Sequence, residues 1–529
     1  METKDNHRLF NYRPIVIAAI SLIFGVLTGT YVFTQKFYVS VSIFLFIIVC
    51  LVILNCFKTY KRLISFHKIC VFACLILFIF SFGAVYLKVN SGLKNNYTNG
   101  QFIATATVCD VGDNMLMVNN VEAEYFENYS QLDGKNIKIN GYVDIYILNE
   151  DVKVYKVGDT ITLKCYITFN KSAEKQKNQT YELNLNYLVY NKVAQGKALA
   201  SDIIITDTST KVSTFDFIKN SCKSIFDKNL NKDIAGVAYA MVFGDKSGIS
   251  NIYSTFQESG LAHLLAVIAV SGLHVGFFTI ILVGIANLLK LKNLPRFIFV
   301  TSVLFLYAWI CNFSTSIVRA FIMSTVAMFA TLRGKQYDGL NSLALSAIIL
   351  LIINPFYFWN LGFELSFMAV LFIILLAPII ERKLCKICGH KLAVAISVSL
   401  AAQIGTLPVI IQIYPTQSAI SVFTNLLAVP IASIGFMTLI VTTLITAVLP
   451  FMGFIMVIPE FALSLVVIIA EAVAGIKSFQ VTFVPIKLFI CLVVALGIII
   501  SDFIFLKKPI KQIGAGLLAI SFVMVLGLY

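Results

Sequence analysis

Charge is scarce in this chain. Only 13% of its 529 residues are Asp, Glu, Lys or Arg and 58% are hydrophobic, whereas a typical soluble domain is about 25% charged. That excludes a soluble fold, in agreement with the mean hydropathy of +0.86. Histidine is scarcer still, with five in all, and no His-Glu-x-x-His occurs, which removes a zincin-type metal hydrolase. Gly-x-Ser-x-Gly is absent, so Ser271 and His274 do not read as a hydrolase pair. No Gly-x-x-x-x-Gly-Lys-[Ser/Thr] loop is present, which excludes ATP binding by that route. The expectation is a channel or transporter without catalysis, metal or cofactor.

Long hydrophobic runs are what the chain has instead. About thirteen stretches approach the ~20 apolar residues that span a bilayer: 14–34, 38–56, 69–88, 273–290, 297–311, 316–332, 339–353, 360–380, 392–412, 431–449, 453–476, 484–506 and 512–528. The first lacks a clear small-residue cleavage site and is read as a retained helix rather than a signal peptide. Lys4, Arg8 and Arg13 precede it, and Lys58, Lys61, Arg62 and Lys68 fall between the second and third stretches. The positive-inside rule places both groups in the cytoplasm. Alternation then puts Lys290/Lys292/Arg296, Arg333/Lys335, Arg382/Lys383/Lys386/Lys391 and Lys507/Lys508/Lys511 inside as well. The polar stretch after the third helix faces outward. It holds 12 Lys, no Arg and 15 Asp or Glu between 89 and 216, so the overall charge of +14 reflects topology rather than a nucleic-acid-binding bulk charge.

Five short, β-branched segments of that outer stretch, 101–108, 136–140, 142–147, 160–168 and 202–206, read as strands. Closed on themselves they would form an OB-type barrel, a fold that binds single strands through aromatic platforms and a cationic groove. Tyr125, Phe126, Tyr129, Tyr142 and Tyr146 are available for this or for the core. Cys109 and Cys165 lie in the same domain, where a disulfide and two buried thiols are both open. Phe215, Ile218, Cys222 and Ile225 recur at helical spacing over 213–232, which suits an interfacial helix or a packing helix. Cys385-Lys-Ile-Cys388-Gly-His390 is half of a zinc pattern with no second Cys or His pair nearby, and is read as a basic loop with incidental thiols.

Within the apolar core, the notable polar residues are Asp245, Lys246, His263, Ser271, His274, Arg319 and Glu364. An ionisable group in lipid costs at least ~2.5 kcal/mol, so each should face a cavity, a partner or a substrate path. Arginine forks suit phosphate, and Arg319 could equally neutralise Glu364. Gly244, Gly272, Gly276, Pro408, Asn425 and Pro430 mark places where the backbone is expected to break and line a cavity.

These residues fall in ordered motifs: FGDKSGIS, GLAHLLA, SGLHVG, SIVRAFIM, Tyr337-Asp338, Asn341-Ser342-Leu343, Asn354-Pro355, GFELSFMAV, Thr406-Leu-Pro408 and TNLLAVP. Together, from about 234 to 435, they resemble the ComEC family of competence proteins. The resemblance implies a channel for single-stranded DNA in the cytoplasmic membrane, working with a DNA receptor outside and an ATP-driven motor inside. It implies a polytopic α-helical membrane protein with an inserted extracytoplasmic OB-type domain. The corresponding divisions are 1–88 (three helices), 89–212 (OB-type domain), 213–232 (interfacial helix), 233–435 (channel core) and 436–529 (C-terminal helices). Two departures stand out. Val267-Ile-Ala-Val270 lengthens the link between His263 and Ser271, and the His-x-His-x-Asp-His of a metallo-β-lactamase-like domain does not occur, so nuclease activity by that route is not expected of this polypeptide. A secondary transporter or flippase of another anionic substrate is the alternative.

Overall fold

A computed structural model describes residues 14–34, 76–89, 99–111, 115–125, 136–139, 141–148, 155, 158–169, 173–175, 181–183, 189–207, 214–244, 272–413, 416–418, 421–474 and 480–482. These fall into two compact units, one holding the described parts of 20–220 and 351–359, the other those of 14–19, 221–350 and 360–482.

The first unit begins with two apolar helices, α1 (Pro14–Thr34, from residue 20) and α2 (Ile76–Val89). A Cβ on Gly29 would stand 2.8 Å from Val85 Cβ, and one on Gly25 would overlap Ser81 Oγ. This is the small-xxx-small spacing that lets helix backbones approach closely in lipid.

The same unit contains β1 (Gly100–Val111), β2 (Met115–Tyr125), β3 (Asn136–Ile139), β4 (Tyr142–Leu148), β5 (Thr160–Phe169), a small β6–β7 hairpin (Ala173–Lys175, Tyr181–Leu183), β8 (Lys192–Leu199) and β9 (Ile203–Asp207). The mixed sheet runs β1–β2–β4–β8–β5–β9, with β3 on β2, and β5 also pairs with β1. In it only β4 and β8 run parallel. Alternation drives this: Ile161, Leu163, Cys165, Ile167 and Phe169 of β5 are buried, whereas Lys164, Tyr166 and Thr168 point out. Phe102 and Phe169 meet edge-on in the core at 5.9 Å. All five expected strands are present. β2 and β8 were not expected, because MLMVNNVEAEY and KVAQGKAL are rich in Asn, Ala and Glu and weak in β-propensity.

Cys109 and Cys165 are not bridged to each other; Cys165 is buried and Cys109 half-buried. Cys165 lies opposite Phe102 in the β1–β5 register. Cys109 stands seven residues farther along β1, ~23 Å at ~3.3 Å per residue, well beyond the ~7 Å limit for a bridge.

The helical unit comprises α3 (Thr214–Asn229, from residue 221), α4 (Lys232–Phe243), α5 (Gly272–Leu288), α6 (Asn293–Ile310), α7 (Thr315–Leu332), α8 (Gly339–Ile353, to residue 350), α9 (Leu361–Leu384), α10 (His390–Ile413), α11 (Ser421–Val448) and α12 (Val457–Ala474). Six helical segments among the described residues are long and apolar enough to cross a membrane: 293–310, 315–332, 361–384, 390–412, 424–448 and 450–473. The expected spans 38–56, 484–506 and 512–528 lie outside the described residues.

Phe226 of α3 packs with Ala235 and Ala238 of α4, Ala428, Ala432 and Phe436 of α11 and Leu463 of α12, with Cys222 and Ile225 against the cluster. Cys222 and Ile225 of the expected apolar face thus pack within the helical core. Gly244 ends α4 in the left-handed conformation, φ 81°, and Gly272 opens α5. At Gly276, Pro408, Asn425 and Pro430 the expected breaks do not occur: α5, α10 and α11 run through all four. Proline removes one N–H from the helix ladder, yet both helices continue, packed against their neighbours. Gly405 lets α10 lie against Phe372 and Met368 of α9.

Candidate functional site: a buried arginine in the helical core

Arg319 lies on the first turns of α7 and is 5% exposed. A cation there opposes the helix dipole, whose positive end is the N-terminus. Several neutral groups hold the segment. Thr315 Oγ1 donates to Asn360 Oδ1 at 3.0 Å, Ser316 Oγ donates to the Gly362 carbonyl at 2.9 Å, and Arg319 Nη1 donates to the Ser366 carbonyl. Asn360 caps α9 by accepting from the Phe363 amide at 3.2 Å. Its one oxygen thus serves two helix starts. The guanidinium lies 6.0 Å from the Phe367 ring, which stacks on Phe363 at 4.0 Å.

Gly272 completes this pocket. A Cβ there would overlap Arg319 Nη2, so the guanidinium occupies the space that glycine leaves open at the start of α5. Arg319 Nε has no hydrogen-bond partner among the described residues, and no described carboxylate lies within ion-pair distance. The expected pairing with Glu364 is therefore not formed. Glu364 is half-buried in the first turn of α9, where the dipole favours a carboxylate. What results is a buried, positively charged group with a donor unspent.

His274, fully buried two residues beyond Gly272, stacks on Phe436 of α11 at 4.2 Å. Asn425 is 2% exposed on the buried face of α11 that also carries Ala428, Ala432 and Phe436, and neither of its amide atoms has a partner among the described residues. Asp245, Lys246, His263 and Ser271 lie outside the described residues, so three of the seven expected core residues can be placed, and Arg319 is the one at the centre of a built site. The motif GFELSFMAV includes Gly362 and Ser366, but sequence reasoning missed Asn360 and the backbone-carbonyl roles of Gly362 and Ser366. The only local signal was an Asn one residue before an apolar helix, an N-cap pattern. The Tyr337-Asp338 and Asn341 motif has a structural use: Asp338 accepts from the Leu340 and Asn341 amides and from Asn341 Nδ2 at 3.0–3.2 Å, capping α8.

On the sheet, Tyr146, Lys197 and Tyr166 lie side by side on β4, β8 and β5 and all are exposed. With strands ~4.8 Å apart they make an aromatic–cation–aromatic row about 10 Å wide. Tyr142 is exposed on the same strand as Tyr146, so both flagged β4 tyrosines lie outside the core, while Phe126 and Tyr129 and the side chain of Tyr125 are outside the described residues. Tyr166 and Lys197 were not anticipated. Burial pushes the neighbouring Cys165 thiol up to about 12.

The sequence pattern of a family described as "Competence protein" matches residues 241–508, which include Arg319 and its pocket. ComE operon protein 3 of Bacillus subtilis is 33% identical over 202 residues, 38% of this chain and 25% of that protein. An uncharacterized protein of Aquifex aeolicus is 29% identical over 201 residues, 37% of this chain and 44% of that protein. The matched stretch thus spans less than half the length of either relative. No solved structure matches the chain. With the family pattern covering just over half of its residues, the chain belongs to the competence protein family.

Proposed function

We propose that this protein conducts single-stranded DNA across the cytoplasmic membrane during natural transformation. Membership of the competence family carries the reading, because the matched region contains the buried Arg319. A polyanion cannot cross hydrocarbon and needs a water-filled path lined by donors weak and numerous enough to let it slide. A guanidinium without a described carboxylate partner, held by a carbonyl at the dipole-positive end of α7, suits a passing phosphate.

In this reading the sheet is an OB-type barrel on the outer side that receives the strand. Its order β1–β2–β4–β8–β5, returning to β1 with one parallel pair, supports that closure. The Tyr146–Lys197–Tyr166 row supports single-strand binding, since bases stack on aromatic faces and phosphates meet the cation. A DNA receptor outside and an ATP-driven motor inside complete the pathway, and the protein itself performs no catalysis. A transporter or flippase would draw on broken helices, and the uninterrupted α10 and α11 offer it no support.

Deleting the gene should abolish internalised DNA while surface-bound DNA persists, measured with labelled duplex and nuclease protection. Normal internalisation in the deletion strain would falsify the channel.

A further inference from the structure

The α9–α10 turn brings three different metal-ligating groups together. Glu381 lies in the last turn of α9, Cys385 caps that helix one turn on, and His390 opens α10. His390 Nδ1 stands 3.4 Å from Glu381 Oε1 and 3.7 Å from Cys385 Sγ, and the ligand atoms all lie within 4.8 Å of one another. Bond lengths to zinc are ~2.0–2.2 Å for nitrogen and oxygen and ~2.3 Å for sulfur, so at a tetrahedral angle N···O is ~3.4 Å and N···S ~3.6 Å. These two separations match two edges of that tetrahedron. The sequence showed only half a zinc pattern, and Glu381 from the preceding turn supplies what it lacked.

The geometry points to a zinc site at the α9–α10 turn, with Glu381, Cys385 and His390 as three protein ligands and water in the fourth position. A carboxylate and a thiolate neutralise a divalent cation within a loop that is otherwise basic, with Arg382, Lys383, Lys386 and Lys391. Cys388 Sγ lies on the Leu384 carbonyl at 3.4 Å and is not placed as a ligand. Binding releases the Cys385 thiol proton to solvent and forms the Zn–S, Zn–N and Zn–O bonds with no change of oxidation state. Mixed Cys, His and carboxylate ligation favours zinc over magnesium or calcium. The ion would pin the end of α9 to the start of α10, at the far end of α9 from the Ser366 carbonyl that holds Arg319.

The test is a cobalt titration of the full chain in detergent, followed by displacement with one equivalent of zinc. Wild-type protein should show a thiolate-to-cobalt charge-transfer band that zinc abolishes. Cys385→Ser should lose the band, and Glu381→Gln and His390→Gln should weaken cobalt binding more than roughly tenfold, since even outer-shell partners are worth about that much. Cys388→Ser and Cys222→Ser should leave it unchanged. No band in the wild type, a band surviving in Cys385→Ser, or a band lost in Cys388→Ser would each overturn the site. The wild-type spectrum decides even where a variant misfolds.

Discussion

At the scale of single residues, the behaviour of Arg319 turns on what surrounds its guanidinium rather than on its charge alone. Removing one member of a buried ion pair strands its partner, but no described carboxylate pairs with Arg319. Arg319→Met should therefore leave Tm unchanged or higher while DNA uptake falls at least tenfold, the equivalent of a charged hydrogen bond worth ~1.5–3 kcal/mol. Intact uptake in well-expressed Arg319→Met would take this residue out of the DNA path. Gly272 and Gly276 offer a paired test. A Cβ at 272 overlaps Arg319 Nη2, whereas a Cβ at 276 meets nothing within 4 Å. Gly272→Ala should cost ~1–3 kcal/mol by overpacking, while Gly276→Ala should be neutral or slightly stabilising, through helix propensity. Thermal unfolding of the two purified variants decides between them.

At the scale of elements, partners decide what local preference leaves open. β1, β4, β5 and β9 could be read from alternating β-branched residues, but β2 and β8 form because each is paired along its length with stronger neighbours. In the same way Pro408 and Pro430, which locally favour a break, sit inside continuous helices. Register also separates the two cysteines of the sheet. Denatured, unreduced protein should release two reactive thiols from Cys109 and Cys165, and Cys165 should resist alkylation in the native state because it is buried. Its thiol is raised from 9.0 to about 12 by burial, so the folded state holds that proton more tightly than the unfolded chain. The resulting stability is complete below about 9 and is lost as pH rises from there towards about 12. Chemical denaturation across that window should show the sheet weakening with alkali, and less so in Cys165→Ala.

At the scale of the whole molecule, the distribution of basic residues argues for one orientation. Cys385 is exposed in the basic turn after α9, a turn that the proposed topology puts in the cytoplasm. Once any bound metal has been stripped with a chelator, a membrane-impermeant thiol reagent should label it only after protoplasts are opened, with Cys385→Ser as the blank. Labelling of intact protoplasts would invert the topology.

Composition, hydrophobic run length and basic clusters determined on their own that this is a polytopic helical protein with an inserted β-rich stretch, because burial in lipid demands apolar runs and water does not. Ordered motifs were enough for the family. Tertiary structure alone decided that a guanidinium occupies the space Gly272 leaves open, that Asn360 serves two helix starts, that Tyr146, Lys197 and Tyr166 align, and that Glu381 joins Cys385 and His390. The physical reason is common to all four. Each is a contact between groups that separate helices or strands bring together, and neither local propensity nor hydrophobic period encodes which element will lie beside which.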